Sequence, residues 1–265
     1  MSAKITSLKS FATQRTLVKY FFLLCLVASG VHVKAQNNIF LFQGKIEFEK
    51  RVNSYALLDD DNTWSDLQKK TMSKFKVTYF DLYFSKNKTM YQPGRENPDN
   101  NKQSFFDNDG AAAENVVYAD LDSSKSVSQK KVFETVFLIQ DSTRRIQWKI
   151  TDETRVIAGF NCRRANAIIM DSIYVVAFYT DDIPTSGGPE SFNGLPGMIL
   201  GVSMPHQHVT WFATKVSATP VTAAQLKVPT KGKKVSNASM RDALKEAMKD
   251  WDLKYRQRYL EAAVL

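Results

Sequence analysis

The sequence predicts a mainly β protein, an antiparallel curled sheet or meander with a C-terminal amphipathic helix. Three observations carry that expectation. Segments 116–121, 131–140, 145–151, 155–157, 162–170 and 173–180 are rich in strand formers and follow one another across short polar turns. That spacing leaves no room for the helical crossovers a parallel sheet needs. The glycine- and proline-rich stretch 187–200 then runs directly into the apolar Met198-Ile199-Leu200, as a turn aiming a buried strand does. Last, Met240, Leu244, Ala247, Met248, Trp251, Tyr255 and Tyr259 recur at helical spacing.

In chain order, residues 1–35 read as a secretory signal peptide. Lys4, Lys9, Arg15 and Lys19 precede a short apolar run over 20–31, and Val33 and Ala35 sit at the −3 and −1 positions before Gln36. The run is shorter than the roughly 20 residues a membrane span needs. The remaining expected divisions are a β-rich domain over 36–216, a linker over 217–236 and a helix over 237–265. In the β-rich domain, 44–52 alternates Ile46, Phe48 and Lys50 against Lys45, Glu47 and Glu49. A short helix is expected over 64–72, and 75–84 pairs with 89–92 as a hairpin. Breakers fill 93–113, which reads as a long exposed loop; its acids lack the regular spacing of a calcium loop. Strands over 198–204 and 209–216 flank Pro205-His206-Gln207-His208. Asn237 or Ser239 is the expected cap of the last helix.

The formal charge of +9 falls to +4 without the leader, which holds five basic residues (Lys4, Lys9, Arg15, Lys19, Lys34) and no acid. That surplus makes no case for nucleic acid. Cys162 is the one cysteine beyond the leader, so no internal disulfide is expected; burial suits it. No serine sits in a nucleophile elbow, and Cys162 paired with a histidine is disfavoured by its mid-strand position. Gly187-Gly188-Pro189 lacks the Gly-Lys-Ser/Thr of a phosphate loop.

Two constellations carry a functional expectation. Met204, His206 and His208 would share one face of an extended segment, and imidazole with thioether suits copper or zinc. After Gly194, Leu195-Pro196-Gly197-Met198 reads as a type II turn with Pro196 fixing φ and Gly197 supplying φ > 0. With Phe192, Met198 and Tyr179 it would line a groove.

These residues carry a likeness. Gly194-Leu195-Pro196-Gly197-Met198-Ile199, preceded by Trp148-Lys149-Ile150, Glu153-Thr154 and Ile157-Ala158-Gly159-Phe160-Asn161-Cys162-Arg163-Arg164-Ala165, resembles the GLPGLI family of exported Bacteroidota proteins. Met198 stands where that family usually has leucine, and an arginine near Ser172 is missing. The resemblance implies export, a mainly β fold and a recurrent position for Cys162, with no known catalytic residues. The expected function is a non-enzymatic binding or assembly factor of the periplasm or outer cell envelope. Its expected partner is an envelope protein, lipid or surface component. The alternative is a copper- or zinc-binding protein; a lipid carrier or a hydrolase ranks below both.

Overall fold

A computed structural model describes residues 40–58, 63–98 and 114–265. The leader and most of the 93–113 loop lie outside the described residues.

The first strand shows why the sheet curls. In β1 (Gln43–Asn53), Ile46, Phe48 and Lys50 point inward and are buried, while Lys45, Glu47 and Glu49 face the other side. A short 3-10 turn and α1 (Thr63–Thr71) follow, then β2 (Phe75–Ser85) and β3 (Lys88–Pro93). Lys86 and Asn87 both take positive φ, 49° and 59°, as a tight hairpin with right-handed strand twist requires. The meander continues through β4 (Val116–Asp120), β5 (Lys125–Val132) and β6 (Thr135–Ser142). A second meander holds β7 (Lys149–Ile157), β8 (Phe160–Ile169), β9 (Ile173–Thr180), β10 (Met198–Met204) and β11 (Val209–Ser217). One 12-stranded open sheet results, in the order β12-β6-β5-β4-β3-β2-β1-β11-β10-β9-β8-β7. All pairs are antiparallel except β12 (Lys233–Val235), which runs parallel to β6 inside the segment expected to be linker.

Several boundaries differ from the sequence expectation. Residues 131–140 do not form one strand, because the chain reverses at Phe133-Glu134 with Phe133 at φ 52°. No glycine or asparagine announces that turn. Conversely, 145–151 and 155–157 merge in β7, with a register shift between Ile150 and Thr154 where two strands were expected. The last helix is two, α2 (Asn237–Ala247) and α3 (Leu253–Val264). Ser236 caps α2, its hydroxyl accepting from the Ser239 amide at 3.1 Å, so neither Asn237 nor Ser239 is the cap. Asp252 starts α3 by accepting from the Lys254 and Tyr255 amides.

That break divides the apolar stripe. Met240, Leu244 and Met248 pack with Val132, Phe137 and Ile139 in a second, smaller core, which Ala263 of α3 completes. Trp251 and Tyr255, one turn further along the stripe, are exposed. The main core lies within the curl, where Phe48, Phe80, Phe84, Trp211, Ile199 and Leu265 meet. Cys162 belongs to it: fully buried, its thiol is pushed up to about 12 by burial, which leaves it protonated and unreactive at neutral pH. No helix among the described residues is long and apolar enough to cross a membrane.

Candidate functional site

Among the described residues, the curl buries two lysines and one glutamate. Lys50 on β1 is 9% exposed, Lys130 on β5 is 3% exposed, and Glu190, in the loop before β10, is 3% exposed. Each lysine follows from strand alternation. Lys50 continues the inward row of Ile46 and Phe48, and Lys130 continues Ser128 and precedes Val132 on β5. Glu190 is held differently. It takes φ 50°, in the left-handed region a non-glycine residue rarely occupies, within a loop tied by Ile199 N to Gly187 O at 2.8 Å and Gly194 N to Ser186 O at 3.0 Å. Strain of this kind persists only where the surrounding structure fixes it.

Glu190 Oε2 accepts from Asn115 Nδ2 at 2.9 Å, and Asn115 is itself fully buried just before β4. Four atoms of this cluster, Glu190 Oε1, Asn115 Oδ1, Tyr91 Oη and Trp211 Nε1, make no hydrogen bond of full geometry among the described residues, although Tyr91 Oη lies close enough to Glu190 and to the Trp211 indole to interact with both. Lys50 Nζ lies 5.3 Å from the centre of the Trp211 ring and 5.8 Å from that of Phe80. Burial lowers the Lys50 pKa, partly countered by the charge of Glu190. Burial also raises Tyr91 well above its ordinary value, and the Glu190 charge pushes it the same way. Lys130 is lowered to about 8, first by burial, against the opposing pull of Glu190.

A cavity of about 540 Å³ opens beside this cluster. Among the described residues its wall carries Lys130, Arg144, Arg145 and Arg241 against one acidic side chain, Asp141, with the hydroxyls of Ser126, Ser128, Ser142, Thr143 and Ser191 between them. Asp141 is engaged with Asn237 Nδ2 at 2.8 Å. Arg144 donates from Nε to Ser191 Oγ at 3.1 Å and from Nη2 to Val264 O, and Lys130 Nζ donates to Ala263 O at 3.0 Å. The last turn of α3 therefore points its carbonyls, the negative end of the helix dipole, at two of the cations. A chamber of about 20 Å³ shares Val117, Ser126, Thr143, Arg144 and Ser191 with the cavity wall and reaches Glu190.

The residues singled out from sequence fall elsewhere. Tyr179 and Met198 are buried in the main core, so no groove runs over them. Phe192 packs edge-on to Trp211 at 6.1 Å and lines the chamber from its inner side. The turn at Leu195-Pro196-Gly197 is three residues long, not a four-residue type II turn. Gly197 N donates to Leu195 O at 2.7 Å. Gly197, at φ 149°, lies so close to β9 that a Cβ would sit 2.1 Å from Thr180 O. Gly194 and Pro196 are exposed, and Trp148 of the upstream motif donates to Asn193 O at 2.9 Å, which joins the two motif segments in space.

The alternation that would align Met204, His206 and His208 is absent. Pro205–Gln207 form a 3-10 turn, and His208 takes φ 54°. Met204 is buried while His206 is exposed. No group of three or more His, Cys, Asp or Glu side chains converges among the described residues. What the sequence reading missed, Lys50, Lys130, Arg144 and Glu190, had one legible signal: a lysine in the apolar register of an amphipathic strand.

A family model described as a protein of unknown function (Porph_ging) matches residues 168–201. The match spans the end of β8, all of β9 and the loop carrying Glu190 and Gly197. No curated protein matches the chain. Among solved structures it is similar to PNGF-II in a C2 crystal form, with 15% identity, a TM-score of 0.49 and coverage of 76% of this chain and 32% of that one. A P21 form gives 16%, 0.49, 76% and 33%. The chain thus spans about a third of the length of PNGF-II, and a likeness at this level says nothing of shared activity.

Proposed function

We propose that this chain is an exported cell-envelope binding protein, of the GLPGLI kind its motifs resemble, whose cavity takes an anionic small ligand. One observation carries the reading: among the described residues, four basic side chains and one acidic one line a cavity of about 540 Å³, within the size range of small-molecule sites. Buried cations without equal negative charge are costly unless something pairs with them. An anion seated between Lys130 and Arg144 supplies that charge, and the neighbouring hydroxyls satisfy its remaining lone pairs. Export rests on the three-part leader alone. The cavity supports the binding reading better than the motif turn does, since Leu195, Gly197 and Met198 are buried there.

Calorimetric titration of the protein with citrate and with inorganic phosphate tests this. Binding should weaken at least about tenfold in Lys130→Met and in Arg144→Gln, the loss expected when one charge-assisted hydrogen bond is removed. Absence of heat for both anions up to millimolar concentration overturns the reading.

A further inference from the structure

Where the β5–β6 turn meets the start of α3, aromatic side chains gather in the open. Phe133 and Trp251 pack at 5.8 Å, Phe133 and Tyr259 at 5.2 Å, and Trp251 and Tyr259 at 5.6 Å between ring centres. Phe133, Trp251, Leu253 and Tyr255 nevertheless stay between 39% and 66% exposed. On α3, Leu260 and Val264 pack against the second core. Tyr255 lies about 140° and about 180° around the helix from them, so it faces outward. Lys254 and Arg258 fall on one side of the Tyr255–Tyr259 stripe and Arg256 on the other. Arg256 and Arg258 donate to the carbonyls of Lys249 and Leu57, contacts that leave their charge in place. No acid occurs from 253 to 260, and the Asp252 carboxylate is turned to the first amides of α3. Over 231–265 there are nine basic residues and five acids, a surplus of four that equals that of the whole chain beyond the leader. The excess positive charge of the protein is therefore concentrated in the segment that carries the open aromatics.

We propose that this corner docks on an anionic phospholipid surface, with Phe133, Trp251, Leu253 and Tyr255 in the headgroup layer and Lys254, Arg256 and Arg258 beside the lipid phosphates. The site is separate from the cavity and does not rest on the anion-binding reading. Tryptophan and tyrosine suit the boundary between headgroups and hydrocarbon, since one end of each ring system is apolar and the other polar. An aromatic stripe with cations on both flanks is the pattern of a helix that lies in that boundary. With 12 residues α3 is too short to cross a bilayer, so it lies on the surface. Charge decides the kind of surface. Each cation near an anionic leaflet strengthens attachment about fivefold, whereas on a neutral one the three cations contribute nothing.

Co-sedimentation with vesicles of phosphatidylcholine alone, and of phosphatidylcholine with about 30% phosphatidylglycerol, tests this. The protein should partition at least about tenfold more strongly onto the anionic vesicles, and about 0.5 M salt should abolish the difference. Trp251 emission should shift to the blue on binding, a change lost in Trp251→Phe. Leu253→Ser/Tyr255→Ser and Lys254→Glu/Arg256→Glu should each weaken binding at least about tenfold. Both pairs lie outside the cavity wall, so citrate titration of the same variants should be unchanged. Equal partition onto the two kinds of vesicle, or onto neither, overturns the proposal. Wild-type binding by Leu253→Ser/Tyr255→Ser overturns the assignment to this corner. A dimer in sedimentation equilibrium that the same variant dissolves, without vesicle binding, overturns it in favour of a second copy of the chain.

Discussion

Replacing Lys130 with methionine should stabilise this protein at neutral pH and cease to do so at high pH. Lys130 is 3% exposed, and its pKa falls from 10.5 to about 8 in the fold, chiefly through burial. Below pH 8 both folded and unfolded chains carry the proton, and the fold bears the whole cost of burying the charge. That cost is about 3 kcal/mol, from the gap of about 2.5 pKa units at 1.36 kcal/mol each. Between pH 8 and 10.5 the unfolded chain binds more protons than the folded one, so stability rises with pH across that window. By pH 10 less than about 1 kcal/mol of the cost remains. Methionine matches the length of the lysine stem and removes the charge, at the loss of the hydrogen bond to Ala263 O, worth about 1 kcal/mol. The net expectation is a gain of about 2 kcal/mol at pH 7 and no gain at pH 10. Urea unfolding of both proteins at pH 7, 8, 9 and 10 measures it. A variant less stable by the same amount at every pH would refute the reasoning, because it would mean that Lys130 acts through packing and not through its buried charge.

The other predictions concern the same site and its frame. Citrate affinity should fall about 30-fold between pH 7 and 9.5 as Lys130 loses its proton, and this pH dependence should vanish in Lys130→Met titrated over the same range. Glu190→Gln should cost about 3 kcal/mol of stability at pH 7, measured by urea unfolding, because it removes a buried negative charge that acts on both Lys50 and Lys130. Gly197→Ala should lower the thermal midpoint far more than Gly159→Ala. A methyl at Gly197 meets Thr180 O, whereas one at Gly159 (φ 87°) has nothing within 4 Å and meets only backbone strain, worth about 1–3 kcal/mol. Zinc or copper should shift the melting of wild type and of the His206→Ala/His208→Ala double variant equally, and a shift confined to wild type would restore the metal reading.

The sheet was legible because its information is local. Alternation in 44–52, the continuous run of strand formers in 173–180 and the hairpin at Lys86-Asn87 need no knowledge of distant residues. The turn at Phe133 was not legible, since a phenylalanine held at positive φ is stabilised by its surroundings, stacked on Tyr259 with ring centres 5.2 Å apart. The helix break at Asp252 was missed for another reason: its apolar stripe continues unbroken, and only the capping carboxylate marks a new start. The site was the least legible part. Its charges come from β1, β5, the segment after β6 and the loop before β10, far apart in sequence and brought together by the curl alone. The glycine-rich turn stands out because it is dense in sequence, yet in the fold its loop carries Glu190, buried near those cations.

The strand order has a consequence for how the protein reaches this state. Strands β1 to β6 and β7 to β11 each pair with their neighbours in sequence, but the two series are joined only where β1 meets β11. Val52 there opposes Val209, about 160 residues apart, and the entropy of closing so long a loop must be met before the seam contributes anything. Until then β1 exposes one edge, and the inner faces of two half-sheets stand open to solvent. Folding of this chain should therefore be limited by the joining of its halves. Substitutions along the seam, such as Trp211→Phe, should slow refolding, whereas substitutions within either hairpin series should chiefly speed unfolding.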